Sequence, residues 1–119
     1  MLYLDVDYFK GVNDVRGHAA GDALLVELAA CLRAEVRDDD QVFRIGGDEF
    51  AVLARVTDAA DAQGLGERLL SRAHALGTSL SIGVALARDG ESDAALLARA
   101  DGGLYDAKLA GRGLVHTVS

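Results

Sequence analysis

No proline interrupts the 119 residues, and only one cysteine, Cys31, is present. A lone cysteine excludes an internal disulfide and a zinc cluster. Cys31 falls on the apolar side of a predicted helix and is expected to be a small core residue. No run approaches the ~20 apolar residues of a membrane span, and nothing at the start reads as a signal peptide. The piece therefore reads as cytosolic, with no membrane contact of its own, although a parent protein with an anchor elsewhere stays open. A basic surplus is also missing: 19 acidic against 12 basic side chains give a net charge of −7. That disfavours a nucleic-acid or membrane-surface binder, but a few local cations and a metal suffice for a nucleotide. There is neither a repeat nor a linker, so residues 1–119 are expected to form one domain, long enough to bury roughly two thirds of its unfolded surface.

What is present is an ordinary globular composition, 50% apolar and 26% charged, with clear periodicities. Tyr3, Leu4 and Val6 make an opening strand. Gly21 to Val36 reads as a helix with Leu24, Leu25, Leu28 and Leu32 on one face. Val42–Ile45 and Phe50–Val56 read as two strands with Gly46-Gly47 near their turn. Asp58 can cap a helix whose Ala62, Leu65, Leu69 and Ala73 face the core, although Gly64 and Gly66 lie inside it. Ser79 to Leu86 alternates Leu80, Ile82, Val84 and Leu86, the pattern of a half-buried strand. Ser92 can cap a last helix carrying Leu97, Ala100, Leu104 and Ala107, ended by Gly111 to Gly113; Leu114–Val118 then supplies a short strand. The expected order is β-α-β-β-α-β-α-β, a mixed sheet with helices packed on it, of α/β or α+β class.

Several segments carry chemistry. In Asp5-Val6-Asp7 the period of two puts both carboxylates on one side of the strand, where they can hold a hard cation, with the Val6 carbonyl as a further oxygen. Arg44-Ile45-Gly46-Gly47-Asp48-Glu49-Phe50 sets two glycines and two acids at a turn. Glycine costs backbone entropy and adjacent like charges repel, so such a turn points to close approach by a ligand and to concentrated negative charge. Magnesium with a bound nucleotide would explain both. Each piece alone has a plainer reading, a solvated strand end and an acidic turn; side by side, the metal reading prevails. In Phe9-Lys10-Gly11-Val12-Asn13-Asp14 and Gly17-His18-Ala19-Ala20-Gly21-Asp22, loop glycines ahead of a helix can offer N–H groups to phosphate, with Lys10 as a cation. Asn13 and Asp22 offer the donor and acceptors that suit guanine and not adenine. The same residues also simply make turns. Lys108 and Arg112, i,i+4 near the end of the last helix, either complement its C-terminus or clamp a triphosphate. Arg37-Asp38-Asp39-Asp40 by itself is a charged surface loop.

Taken together, these segments resemble the GGDEF family of diguanylate cyclases over essentially the whole chain. Asp5 to Asp14 is similar to the family's D-x-D-x-F-K-x-x-N-D, Gly17 to Asp22 to its G-H-x-x-G-D, and Arg44 to Phe50 to its R-x-G-G-[DE]-E-F. Ser81-Ile82-Gly83-Val84 and the run from Ala100-Asp101 through Tyr105, Ala107, Lys108, Gly111 and Arg112 match its closing segments. The family's usual leading helix and D-x-L-T-x-L-x-N-R segment would precede Met1. The stretch between Ser71 and Ser79 leaves no room for the extra hairpin many members carry.

The resemblance implies a palm-like, nucleotidyl-cyclase-like sheet and a bacterial signalling enzyme that condenses two GTP into cyclic di-GMP and two pyrophosphates. It implies Mg2+ or Mn2+ on Asp5, the Val6 carbonyl, Asp48 and Glu49, with Asp48 or Glu49 as the catalytic proton acceptor. Tyr8, Phe9, Lys10, Asn13, His18, Asp22, Gly46, Gly47, Lys108 and Arg112 would bind the substrate. Each domain would hold one GTP, so the active species is a homodimer through the active-site face. Arg37 and Asp40 match the family's R-x-x-D inhibitory site for cyclic di-GMP, and Arg68 falls where a partner arginine often lies. A catalytically silent domain that senses GTP or cyclic di-GMP is the alternative, and a purely structural dimerisation piece a third.

Overall fold

The computed structural model describes residues 1–118. The chain runs β1 (Leu2–Val6), α1 (Phe9–Arg16), α2 (His18–Glu35), β2 (Gln41–Arg44), β3 (Glu49–Leu53), α3 (Ala59–Ala75), β4 (Leu80–Val84), α4 (Asp93–Leu109) and β5 (Val115–Thr117). The sheet order is β2-β3-β1-β4-β5, with β5 parallel to β4 and the other pairs antiparallel. The mixed α/β class is as expected, and the order gains one helix: the segment from Phe9, expected as a loop, is α1. Interior Gly11 weakens that helix, and none of its residues is fully buried, so its apolar period is faint.

Caps explain where the two long C-terminal helices begin. Asp58 accepts the Asp61 N–H at 2.8 Å and Ser92 accepts the Ala95 N–H at 3.1 Å. Each such cap contributes about 1 kcal/mol. The α2 face of Leu25, Leu28 and Leu32 and the α3 face of Ala62, Leu65, Leu69 and Ala73 pack on one side of the sheet, against Leu2, Leu4, Val6, Phe50, Val52, Leu80, Ile82 and Val84. Leu96, Ala100 and Leu104 of α4 cover the other side with Tyr3 and Ala85. The interior strand β4 is therefore buried on both faces, not half-buried as its alternation suggests. Ser81 and Gly83 occupy the face toward α4, and a Cβ on Gly83 would lie 2.1 Å from the Leu104 nitrogen. Small residues there read as a polar face in the sequence while they admit a helix. Cys31 is half-buried rather than part of the core.

Candidate functional site

The antiparallel register sets Asp5 directly opposite Glu49, and the Val6 N–H donates to the Asp48 carbonyl at 3.1 Å. The end of β1 and the β2–β3 hairpin thus lie side by side, which brings Asp5, Asp48 and Glu49 into one acidic cluster. Asp5 is only 8% exposed. Burial pushes its carboxyl above the usual carboxylate range; the Lys108 ammonium on its Oδ2 opposes this, while the charge of Asp48, within hydrogen-bond reach, adds to it. Its other oxygen, Oδ1, is buried without a hydrogen-bond partner. Among the described residues no three His, Cys, Asp or Glu side chains converge closely enough to hold a metal ion by themselves. Even so, an orphaned, buried carboxylate oxygen beside a second carboxylate fits a hard cation that takes its remaining ligands from substrate or water.

Asp7 does not join the cluster. Its Oδ1 accepts from the Ser81 hydroxyl at 2.6 Å and its Oδ2 from the Gly113 N–H at 3.0 Å. The carboxylate is consumed in tying β1 to β4 and to the loop before β5, so the pair Asp5/Asp7 expected to share a cation is divided.

The lip of the cluster is bare. Gly46 and Gly47 avoid the left-handed region, and a Cβ on either would meet nothing nearer than 3.9 Å. The fold does not need glycine there; an approaching ligand would. Arg44 holds the turn by donating Nε–H to the Gly46 carbonyl at 3.2 Å and Nη2–H to the Gly47 carbonyl at 2.8 Å. A cavity of about 250 Å³ lies beside it between α2 and β2–β3, lined by Leu25, Val42, Arg44 and Phe50 among others.

Asn13 and Gly21 are locked together. A Cβ on Gly21 would sit 1.8 Å from Asn13 Oδ1 and 3.2 Å from Phe9 Cζ, so only glycine lets α2 seat the Asn13 side chain. That Oδ1 is buried and unpartnered. Asp22 is exposed one residue along α2, and Lys10 and His18 are exposed in the first turns of α1 and α2.

The two candidate phosphate cations do not share a helix face. α4 ends at Leu109, so Arg112 lies beyond it, with φ +65°, because Gly111 at φ +117° turns the chain out of the helix. Arg112 stacks over the Tyr8 ring, 5.4 Å from its centroid, and Tyr8 is itself left-handed with φ +57°. Two non-glycine residues in that region cost about 1–3 kcal/mol each, against about 0.5–1 kcal/mol from an exposed cation–π contact. This corner sacrifices stability, as binding sites do. Lys108 reaches Asp5 rather than solvent.

Arg37, Asp40 and Arg68 do converge, around a notch of about 50 Å³ that Glu35, Arg55 and Asp61 also line. Asp40 is buried, and its two oxygens accept the backbone N–H groups of Arg37 (3.0 Å) and Arg55 (3.1 Å). Arg68 lies 3.7 Å from Glu35. Sequence reasoning passed over Tyr3, whose hydroxyl donates to Glu49 Oε2, and the roles of Arg44 and Ser81. Tyr3 alternates with Asp5 along β1, a signal that was available; the others became visible only with the strand register.

The family model described as "Diguanylate cyclase, GGDEF domain" matches residues 1–114. The bifunctional diguanylate cyclase/cyclic di-GMP phosphodiesterase MucR of Pseudomonas aeruginosa is 43% identical over 121 aligned residues, covering 94% of this chain and 18% of MucR. The response regulator PleD of Caulobacter vibrioides is 42% identical, covering 96% of this chain and 28% of PleD. The chain thus spans under a third of the length of these curated relatives. Among solved structures, the GGDEF domain of TpbB (YfiN) from Pseudomonas aeruginosa superposes with a TM-score of 0.91 at 40% identity, over 99% of this chain and 75% of that one.

Proposed function

This chain belongs to the GGDEF-domain family of diguanylate cyclases, and from that premise we propose that it condenses two GTP into cyclic di-GMP with release of two pyrophosphates. The observation that carries the reading is the orphaned Oδ1 of buried Asp5 beside Asp48, under a Gly46-Gly47 lip that the fold leaves open. Mg2+ or Mn2+ held by Asp5, the Val6 carbonyl, Asp48 and Glu49 would neutralise charge at the α-phosphate and make a ribose 3′-hydroxyl more acidic.

The protein's own groups do the rest. Asn13 and Asp22 read guanine through complementary donors and acceptors. The N-terminal N–H groups of α1, with Lys10 and Arg112, hold the phosphates, and Lys108 leaves Asp5 for phosphate when the cation arrives. His18, at the start of α2, contributes at the edge of the nucleotide. A carboxylate of the Asp48/Glu49 pair accepts the hydroxyl proton; the 3′-oxygen bonds to the α-phosphorus of the second GTP, and the bond to the departing pyrophosphate breaks. The second linkage repeats this with the roles exchanged, so two copies of the domain face each other, one GTP in each. The rate should therefore rise more steeply than linearly with protein concentration at high dilution. Strict proportionality over a hundredfold range would overturn the dimeric mechanism.

Arg37, Asp40 and Arg68 form a separate inhibitory site for cyclic di-GMP. The buried Asp40 carboxylate shapes the loop that presents the Arg37 guanidinium. Arg37→Ala is expected to leave initial rates similar while removing the slowing of progress curves by product. Equal inhibition in the variant would refute this role. Among the described residues no helix is long and apolar enough to cross a membrane.

A further inference from the structure

Of the two neighbouring acids in the hairpin, Glu49 is the one with a partner from the core. Tyr3 precedes Asp5 by two residues on β1, so both side chains share the face on which the register sets Glu49 opposite Asp5. Tyr3 is 8% exposed and packs with Ala85, Leu96, Ala100 and Leu104, beneath α4. A phenylalanine would fill that apolar site equally well. What the hydroxyl adds is a single contact: it donates to Glu49 Oε2. Because the core fixes the ring, the oxygen at its tip has one position, and the Glu49 side chain is fixed with it.

We propose that Tyr3 is a positioning residue that holds Glu49 in one orientation, so that Glu49 meets a divalent cation as a preset ligand through its remaining oxygen, Oε1. The inference rests on the reading of Asp5, Asp48 and Glu49 as a cation site, and concerns a residue outside that cluster. An outer partner that orients a metal-ligating carboxylate typically changes affinity by about 10–100-fold when it is lost.

The test uses Mn2+ alone, titrated into the whole chain with free Mn2+ followed by electron paramagnetic resonance. The unmodified chain is compared with Tyr3→Phe, Glu49→Gln and the double variant, and with Asp5→Asn and Asp48→Ala as controls on the cation site. Tyr3→Phe should weaken Mn2+ binding about tenfold, and it should leave the melting temperature of the metal-free protein within a few degrees, since the ring stays. Glu49→Gln should weaken binding at least as much, and the double variant should bind no worse than Glu49→Gln, because Tyr3 acts only through Glu49. Unchanged affinity in Tyr3→Phe, or losses that simply add in the double variant, would overturn the proposal. Mn2+ binding that ignores both Asp5→Asn and Asp48→Ala would instead overturn the cation site on which it rests.

Discussion

Gly21→Ala separates the needs of the fold from those of the site. Gly21 lies within α2 at an ordinary helical φ, where alanine is intrinsically favoured by about 1 kcal/mol. The new methyl group would fall 1.8 Å from Asn13 Oδ1 and 3.0 Å from its Cγ. These atoms end a short side chain on the exposed helix α1, so the overlap is relieved by turning Asn13 away rather than by moving α2. The constraint that remains is Phe9 Cζ at 3.2 Å, which needs to yield only a few tenths of an ångström. Stability should therefore change by less than about 1 kcal/mol in either direction, or under about 8 °C in melting temperature for a domain of this size. Recognition should suffer more. With Asn13 displaced, the guanine edge loses one or two hydrogen bonds, about 1–3 kcal/mol, or roughly 5- to 150-fold in affinity. Titration calorimetry with a non-hydrolysable GTP analogue, beside thermal denaturation of the same samples, reads both quantities. A variant destabilised by more than about 2 kcal/mol that binds the analogue normally would refute the reasoning, because Gly21 would then serve packing alone.

Three further outcomes are expected. Gly47→Ala should melt within a few degrees of the parent chain, since nothing lies within 4 Å of the added methyl, yet lose GTP turnover by about 10²-fold through misplaced substrate; full activity would mean that the lip touches no ligand. Ser81→Ala leaves the buried Asp7 Oδ1 without its hydroxyl partner, which should cost about 1–3 kcal/mol and roughly 5–15 °C in melting temperature; an unchanged melt would show that the Asp7 joint is unimportant. Asp5 titrates above its usual 3.8, so the folded state holds its proton more tightly than the unfolded chain does. Its contribution therefore favours folding at low pH and is lost as pH rises through the raised value. Mn2+ competes with protons for this carboxylate, so the stabilisation that Mn2+ confers should grow over the same rise, read as melting temperature against pH with and without the ion. A Mn2+ effect independent of pH between about 4 and 7 would contradict the assignment of Asp5.

Where a residue's role is local, it was legible in the sequence. The caps Asp58 and Ser92, the buried stripes Leu25-Leu28-Leu32 and Leu65-Leu69, and the turn at Gly46-Gly47 all follow from spacing and side-chain chemistry. Roles decided by register were not. Asp5 and Asp7 look equivalent in a strand pattern, but β4 presents Ser81 to one, while the hairpin brings Asp48 and Glu49 to the other. Ser81 and Gly83 alternate with apolar neighbours and suggest a solvated face, when they are small because α4 comes so close. The helix α1 was hidden by its glycine and its thin apolar face. Lys108 and Arg112 are four apart, but the turn at Gly111 breaks the helical relation on which i,i+4 reasoning depends.

The central claim is that Asp5, Asp48 and the bare glycine lip form a site for joining two GTP molecules. Its most direct test is incubation of the concentrated protein with GTP and Mg2+, followed by chromatographic separation of the nucleotides and assay of pyrophosphate. The account predicts cyclic di-GMP with two pyrophosphates for each molecule formed, and neither product from Asp48→Ala. GTP left intact by the parent chain, or cyclic di-GMP formed equally well by Asp48→Ala, would contradict it.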